Sequence, residues 1–169
     1  MKFKKKAANQ RNSAREYCNW GEVESLTKIM TQKIKTSGKK YDIILGITNG
    51  GIIPARLLAR DLDINHIQFI PIRNKKLYKK EMPPLFKDKK YLVVDEIFDT
   101  GETFSRVCNI TRVLDCDFAF LMSRYRYTGK SSLFVGKLLN HDKWIVFPWE
   151  KKDSLTGKKD LSSKNIKYC

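Results

Sequence analysis

Apolar residues in this chain fall into short unbroken runs separated by stretches of helical spacing, as expected of strands and helices taken in turn. Val23, Leu26, Met30 and Ile34 form the first helical stripe. Asn19, with Glu22 three residues on, supplies its start signal, and Ser37-Gly38 ends it. Residues 41–47 are mostly apolar, the pattern of a strand buried on both faces. Thr48-Asn49-Gly50-Gly51 then turns the chain into a helix over 52–62, with Pro54 in its first turn. Residues 66–72 read as a third strand, which Pro71 ends or confines to a sheet edge. The stretch 73–90 is a long, basic connection containing Pro83-Pro84, either a lid or a plain linker. Residues 91–94 form a four-residue buried strand, and Phe104, Val107, Cys108, Thr111 and Leu114 the apolar face of the helix after it. A strand follows over 117–122, with Ser123, Arg124 and Tyr125 at its carboxyl end. Residues 128–143 are polar and irregular, with His141 at the surface, and 143–150 hold a short closing strand capped by Pro148. Strands alternating with helices, the strands mostly apolar, predict an α/β domain with a parallel sheet.

Between the strand at 91–94 and its helix, polarity changes abruptly. Asp95 and Glu96 are adjacent acids, Ile97 and Phe98 follow, and Asp99 is a third acid. Thr100, Gly101, Glu102 and Thr103 then open the helix. The first amides of a helix lack internal acceptors, and the macrodipole adds partial positive charge there, so a helix start suits an anion. Gly101 allows close backbone approach, and the two threonines add hydroxyl donors. Paired carboxylates just ahead of a phosphate cradle suit a phosphorylated sugar: acids for its hydroxyls or a metal, amides for its phosphate. An ordinary acidic strand-to-helix turn has much of the same composition. Thr48, Asn49 and Gly50 form a second strand–glycine–helix turn, readable as another anion nest or as a plain tight turn.

Length and charge narrow the picture. At 169 residues the chain is most simply one domain, a core over 16–150 between a basic arm (1–15) and a basic tail (151–169). No apolar run approaches the ~20 residues that cross a bilayer, and the basic start has no apolar segment behind it. The four cysteines and two histidines show no zinc spacing, so free thiols in a reducing cytoplasm are expected. The net charge is +16, concentrated at both ends and in Arg73, Lys75, Lys76, Lys79 and Lys80. Lysine patches attract nucleic acid, but these lack interleaved aromatics for base stacking, and a polyanionic small substrate explains the internal cluster more simply.

Val93-Val94-Asp95-Glu96-Ile97-Phe98-Asp99-Thr100-Gly101-Glu102-Thr103 resembles the phosphoribosyl-pyrophosphate (PRPP) signature of the type I phosphoribosyltransferases. Residues 143–150 resemble the base-binding segment of the xanthine-guanine members and their archaeal relatives, and the resemblance spans about 19–150. It implies a Rossmann-like five-stranded parallel core with a small hood. It also implies Mg²⁺-dependent transfer of ribose 5-phosphate from PRPP to a 6-oxopurine (xanthine, guanine or hypoxanthine) in cytoplasmic purine salvage, by a homodimer or tetramer. Carried over residue by residue, Asp95 and Glu96 hold the ribose hydroxyls and the metal, directly or through water. Thr100 to Thr103 take the 5-phosphate, Thr48, Asn49 and Gly50 the pyrophosphate, and Asp99 moves a proton at the purine. Trp144 stacks on the base, Ile145 reads its edge, and Arg124 stands where the family uses a lysine for the 6-oxygen. Asn49 stands where a cation is usual, a loss that Arg56 or the 75–80 lysines could offset. These departures keep open a phosphoribosyltransferase for another base, or a non-catalytic PRPP- or RNA-binding regulator.

Overall fold

The computed structural model describes residues 14–126 and 131–150. The chain runs β1 (Arg15–Tyr17), α1 (Trp20–Thr36), β2 (Ile43–Ile47), α2 (Ile52–Leu62), β3 (Ile67–Ile70), β4 (Ile72–Arg73), β5 (Lys76–Leu77), β6 (Lys90–Phe98), α3 (Glu102–Thr111), β7 (Asp115–Ser123), β8 (Leu133–Leu138) and β9 (Trp144–Val146). Five strands form one all-parallel sheet in the order β3-β2-β6-β7-β8. Helices α1 and α2 cover one face, where Val23, Leu26, Met30, Ala55 and Leu58 pack on Ile44, Leu92, Val94 and Leu121. Helix α3 covers the other, with Phe104 and Val107 against Val93, Phe118 and Phe120. Both faces being buried explains why the central strands are so uniformly apolar.

The strand order places a topological switch between β2 and β6: the connection after β2 leads outward to β3, that after β6 the other way to β7. Loops diverge there beyond the strands' carboxyl ends, leaving a crevice in which ligands collect in open α/β sheets. The two turns singled out in the sequence, 48–51 and 99–101, border it.

Both expected helix starts hold. Asn19 Oδ1 accepts from the Glu22 amide at 2.9 Å, a cap worth about 1 kcal/mol. The Glu22 carboxylate pairs with Lys137 at 3.0 Å. Helix α2 has the expected bounds, and β3 is an edge strand as Pro71 implied.

Four expectations are corrected. Strand β6 does not stop at Val94; it continues to Phe98, with Asp95 paired across to Phe120 and Ile97 to Met122. The 73–90 connection is not featureless: Ile72–Arg73 and Lys76–Leu77 form a hairpin, with Asn74 and Lys75 left-handed at its tip (φ 50° and 60°) as a two-residue hairpin turn requires. Residues 128–143 are not irregular throughout, because β8 completes the sheet, and His141 is drawn in by Glu16 at 3.0 Å. Arg15, assigned to the arm, begins β1, which pairs in parallel with β9 to form the hood. The rest of the expected arm, to residue 13, and the tail at 151–169 lie outside the described residues. Among the described residues, Cys18, Cys108 and Cys116 are free thiols, and no helix is long and apolar enough to cross a membrane.

Candidate active site

Because β6 runs past Val94, both acids are delivered by a strand and not by a loop. Asp95 is buried, and burial first, then the Glu96 carboxylate beside it, raises its pKa well above the ordinary carboxylate range. Its Oδ1 accepts the Glu96 amide at 3.0 Å. The Glu96 carboxylate lies directly over Gly50: a Cβ on that glycine would fall 1.7 Å from Glu96 Oε2. That same Oε2 is buried with no hydrogen-bond partner. Glu150, just beyond β9, adds a third carboxyl to the neighbourhood. Burial raises its pKa, the Phe147 amide works against this, and the charge of Glu96 adds to it. Two adjacent carboxylates, one of them with an unpartnered oxygen against the Gly50 backbone, leave an electronegative opening suited to hydroxyls or a hard cation.

Beyond the acids, Gly101 takes a left-handed conformation (φ 77°, ψ 0°) that few other residues tolerate, and so aims α3's first turn at the crevice. Thr100 Oγ1 lies 3.5 Å from the Glu102 amide. Glu102's own carboxylate is turned outward. Arg106 at 2.8 Å, then Lys75 at 3.7 Å, hold its pKa below the ordinary value. Glu102 therefore presents its backbone, and not its side chain, at the start of α3.

In the other turn, the Thr48 hydroxyl accepts from the Ile72 amide at 3.0 Å and lies within reach of the Ile70 and Ile72 carbonyls. Its side chain ties the turn to the neighbouring strands. The Thr48–Asn49 peptide is cis, and the Asn49 side chain is exposed. Gly51 is required sterically, since a Cβ would meet the Val94 carbonyl oxygen at 2.3 Å and the Ile47 nitrogen at 2.6 Å.

In the hood, Trp144 is 42% exposed and Ile145 is buried. The Trp144 amide donates to the Ala14 carbonyl and the Cys18 amide to the Val146 carbonyl, both at 2.9 Å. In a parallel ladder that pattern turns residues 144 and 146 toward β1 and the Ile145 amide and carbonyl toward the open edge.

The sequence did not foretell how Asp99 and the hood are joined. Arg124 Nε donates to Asp99 Oδ1 at 2.6 Å, Nη1 to the His141 carbonyl, and Nη2 to the Lys143 carbonyl at 2.7 Å. Acid and cation stand 25 residues apart in sequence, and although each was singled out for itself, nothing local pointed to their pairing. Asp95, Glu96, Asp99, Thr100 and Gly101 thus follow one another from the end of β6 to the start of α3, and Gly50 meets Glu96 from the turn after β2. Arg124 connects Asp99 to the segment carrying Trp144 and Ile145, and the side chains of Thr48 and Glu102 are engaged elsewhere.

Comparison with known proteins agrees with this fold. Residues 19–153 match the family model described as the phosphoribosyl transferase domain. The chain is 22% identical over 146 residues to the xanthine-guanine phosphoribosyltransferase of Cereibacter sphaeroides, covering 79% of this chain and 86% of that protein. It is 32% identical over 113 residues to the enzyme of the same name from Desulfotalea psychrophila, covering 63% and 69%. Among solved structures, a purine phosphoribosyltransferase from Pyrococcus horikoshii superimposes with a TM-score of 0.63 at 28% identity, covering 81% of this chain and 94% of that one. With the glycine-aimed helix start, the paired acids of β6 and the five-stranded parallel sheet, these matches show that the chain belongs to the phosphoribosyltransferase family of pentosyl-transferring enzymes.

Proposed function

We propose that this protein transfers ribose 5-phosphate from PRPP to a 6-oxopurine (xanthine, guanine or hypoxanthine), giving the nucleoside 5′-monophosphate and pyrophosphate in purine salvage. The observation that carries the reading is the joining of Asp99, two residues ahead of the Gly101 cradle, to the Trp144–Ile145 edge through one guanidinium. A proton-transferring acid between a phosphate site and a flat-ring site is what glycosidic bond formation at a purine requires.

The chemical barrier is cleavage of the anomeric carbon–oxygen bond, which builds positive charge on the sugar ring. Preorganised carboxylates answer that need better than a covalent nucleophile would. Asp95 and Glu96 hold the ribose 2- and 3-hydroxyls, and the negative charge that the pair carries stabilises the developing cation. The α3 amides with Thr100 and Thr103 hold the 5-phosphate. Asp99 takes the proton from, or returns it to, a purine nitrogen. Trp144 stacks on the base, and the outward amide and carbonyl of Ile145 read its edge.

The acid pair also fits a hard divalent ion. Glu96 Oε2 is an orphaned buried oxygen, and both candidate donors are carboxylates, the chemistry Mg²⁺ prefers. Among the described residues no group of three or more acids, histidines or cysteines is arranged to hold a metal. Asp95 and Glu96 would therefore hold it together with substrate oxygens and water. Bound there, it would neutralise the departing pyrophosphate. We place the enzyme in the cytoplasm as a homodimer or tetramer, an assembly that light scattering tests.

The test is pyrophosphate release with PRPP and Mg²⁺ against xanthine, guanine, hypoxanthine, adenine, uracil and orotate. Release is expected with the 6-oxopurines and is abolished by EDTA. Asp99→Asn should lower kcat far more than it weakens PRPP binding. Release with none of the six bases refutes the proposal, and release with adenine, uracil or orotate alone reassigns the base.

A further inference from the structure

We infer that Arg124 is a positioning residue that fixes the Asp99 carboxylate in register with the purine-reading segment, and does not itself read the base. The inference rests on the reading above and specifies how its base site is assembled. Arg124 is anchored at both ends. Its backbone amide donates to the Phe98 carbonyl at 3.0 Å, which pins its Cα beside the end of β6. All three guanidinium nitrogens are engaged: Nε by Asp99, Nη1 by the His141 carbonyl and Nη2 by the Lys143 carbonyl. Its side chain is 14% exposed against 38% for Asp99, so the cation is packed beneath the carboxylate it holds.

The geometry needs an arginine. A planar guanidinium presents donors along several edges of one rigid plane and can bind a carboxylate and two separate carbonyls together. A lysine ammonium is a single point on a flexible stem. It can meet Asp99 or one carbonyl, and cannot hold all three at their present separation. Among the described residues Arg124 is the sole cation within ion-pairing distance of Asp99. It takes Oδ1 and leaves the second carboxylate oxygen for the proton of a bound base. The two carbonyls it grips precede Trp144 by three residues and by one, so the same group sets where the stacking ring and the Ile145 edge stand. Proton acceptor and base platform come from segments far apart in the chain, and one side chain makes them a single rigid unit.

Misplacing reacting groups by about 1 Å costs on the order of 100-fold in rate. Arg124→Lys is therefore expected to lower kcat roughly 10- to 100-fold while leaving the PRPP KM within about twofold. Arg124→Ala should behave likewise and recover part of its kcat on addition of guanidinium ion. In an Asp99→Asn background, Arg124→Lys should cost clearly less kcat than in the unsubstituted enzyme, because the share of its effect that passes through Asp99 is already lost. A base reader would behave otherwise: Arg124→Lys would keep kcat within twofold and alter only base KM and choice. That result, or strictly additive effects in the double variant, overturns the inference. Amide hydrogen exchange supplies a readout independent of turnover. In Arg124→Lys, and in Arg124→Gln should the lysine variant fold poorly, the amides of residues 139–146 should exchange at least tenfold faster than in the unsubstituted chain. Unchanged exchange there overturns the brace even if no base is turned over, whereas an inactive unsubstituted enzyme with accelerated exchange in the variants defeats only the preceding reading.

Discussion

Gly50 and Gly51 are neighbours in one turn, yet alanine at each should fail for opposite reasons. At Gly50 the nearest atoms to the added methyl all belong to the Glu96 carboxylate, at 1.7 to 2.0 Å. That group is the end of a flexible side chain and can swing away, at about 0.5–1.5 kcal/mol for an unfavourable rotamer. The fold survives, but Glu96 leaves the crevice. Losing one charged hydrogen bond to a ribose hydroxyl costs about 1.5–3 kcal/mol. At 1.4 kcal/mol per decade, kcat/KM should fall roughly 10- to 150-fold. At Gly51 the methyl meets the backbone of two core strands, Val94 and Ile47, which has nowhere to move. Overpacking of this kind costs about 1–3 kcal/mol or more. For a chain of this size that lowers Tm by roughly 2–12 °C. Steady-state pyrophosphate release and a thermal melt on both variants decide the matter. Gly50→Ala should melt within about 6 °C of the unsubstituted protein with a large kinetic defect, and Gly51→Ala should show the larger stability loss. If the two melt alike, or if Gly50→Ala keeps kcat/KM within twofold, the placement of Glu96 over Gly50 is wrong.

Asp117 gives a pH-dependent test. Burial alone would raise its pKa, but Lys39 and Tyr41, each at 2.7 Å, and the Ser132 amide outweigh this and hold it below the ordinary value. A depressed folded pKa contributes stability that is present above about pH 4 and lost as pH falls through the folded value. With the partly exposed Lys39 discounted, Asp117→Asn should cost about 2–4 kcal/mol at pH 7 and flatten this acid limb of a Tm-against-pH series. Trp144→Ala should raise the base KM roughly 5- to 150-fold, the equivalent of about 1–3 kcal/mol of stacking, with the PRPP KM within twofold in the same assay. Lys75→Ala breaks only an exposed 3.7 Å pair with Glu102, so calorimetry should find Tm moved by no more than about 2–4 °C.

How much of this was legible in the sequence depended on the range of the interactions. Helix α2 and strand β2 were readable because an apolar run, a glycine turn and Pro54 are local signals. The acid pair and the Gly101 helix start were readable for the same reason. The extent of β6 was not, because Asp95 and Glu96 look like a loop until the β7 ladder that pairs through them is known. Strand β8 was hidden because only Phe134 in it is deeply buried and Gly136 and Lys137 interrupt its pattern. Strand β1 has no apolar alternation at all; it exists because β9, more than a hundred residues later, supplies its partner. The destination of Arg124 was equally non-local. Its identity suggested contact with a ligand, and only the folded chain turns it onto Asp99 and two carbonyls.

The pairing of Arg15–Tyr17 with Trp144–Val146 has a consequence during synthesis. A nascent chain leaving the ribosome exposes its acidic strand and glycine-started helix, complete at Thr111, well before the tryptophan strand begins at Trp144. It can therefore assemble the proposed sugar-phosphate site while the strand that carries Trp144 is still to come. The opening strand must wait, unpaired, until nearly the whole domain has been made, so a chain cut short before Val146 lacks the complete pairing however well its sheet has formed.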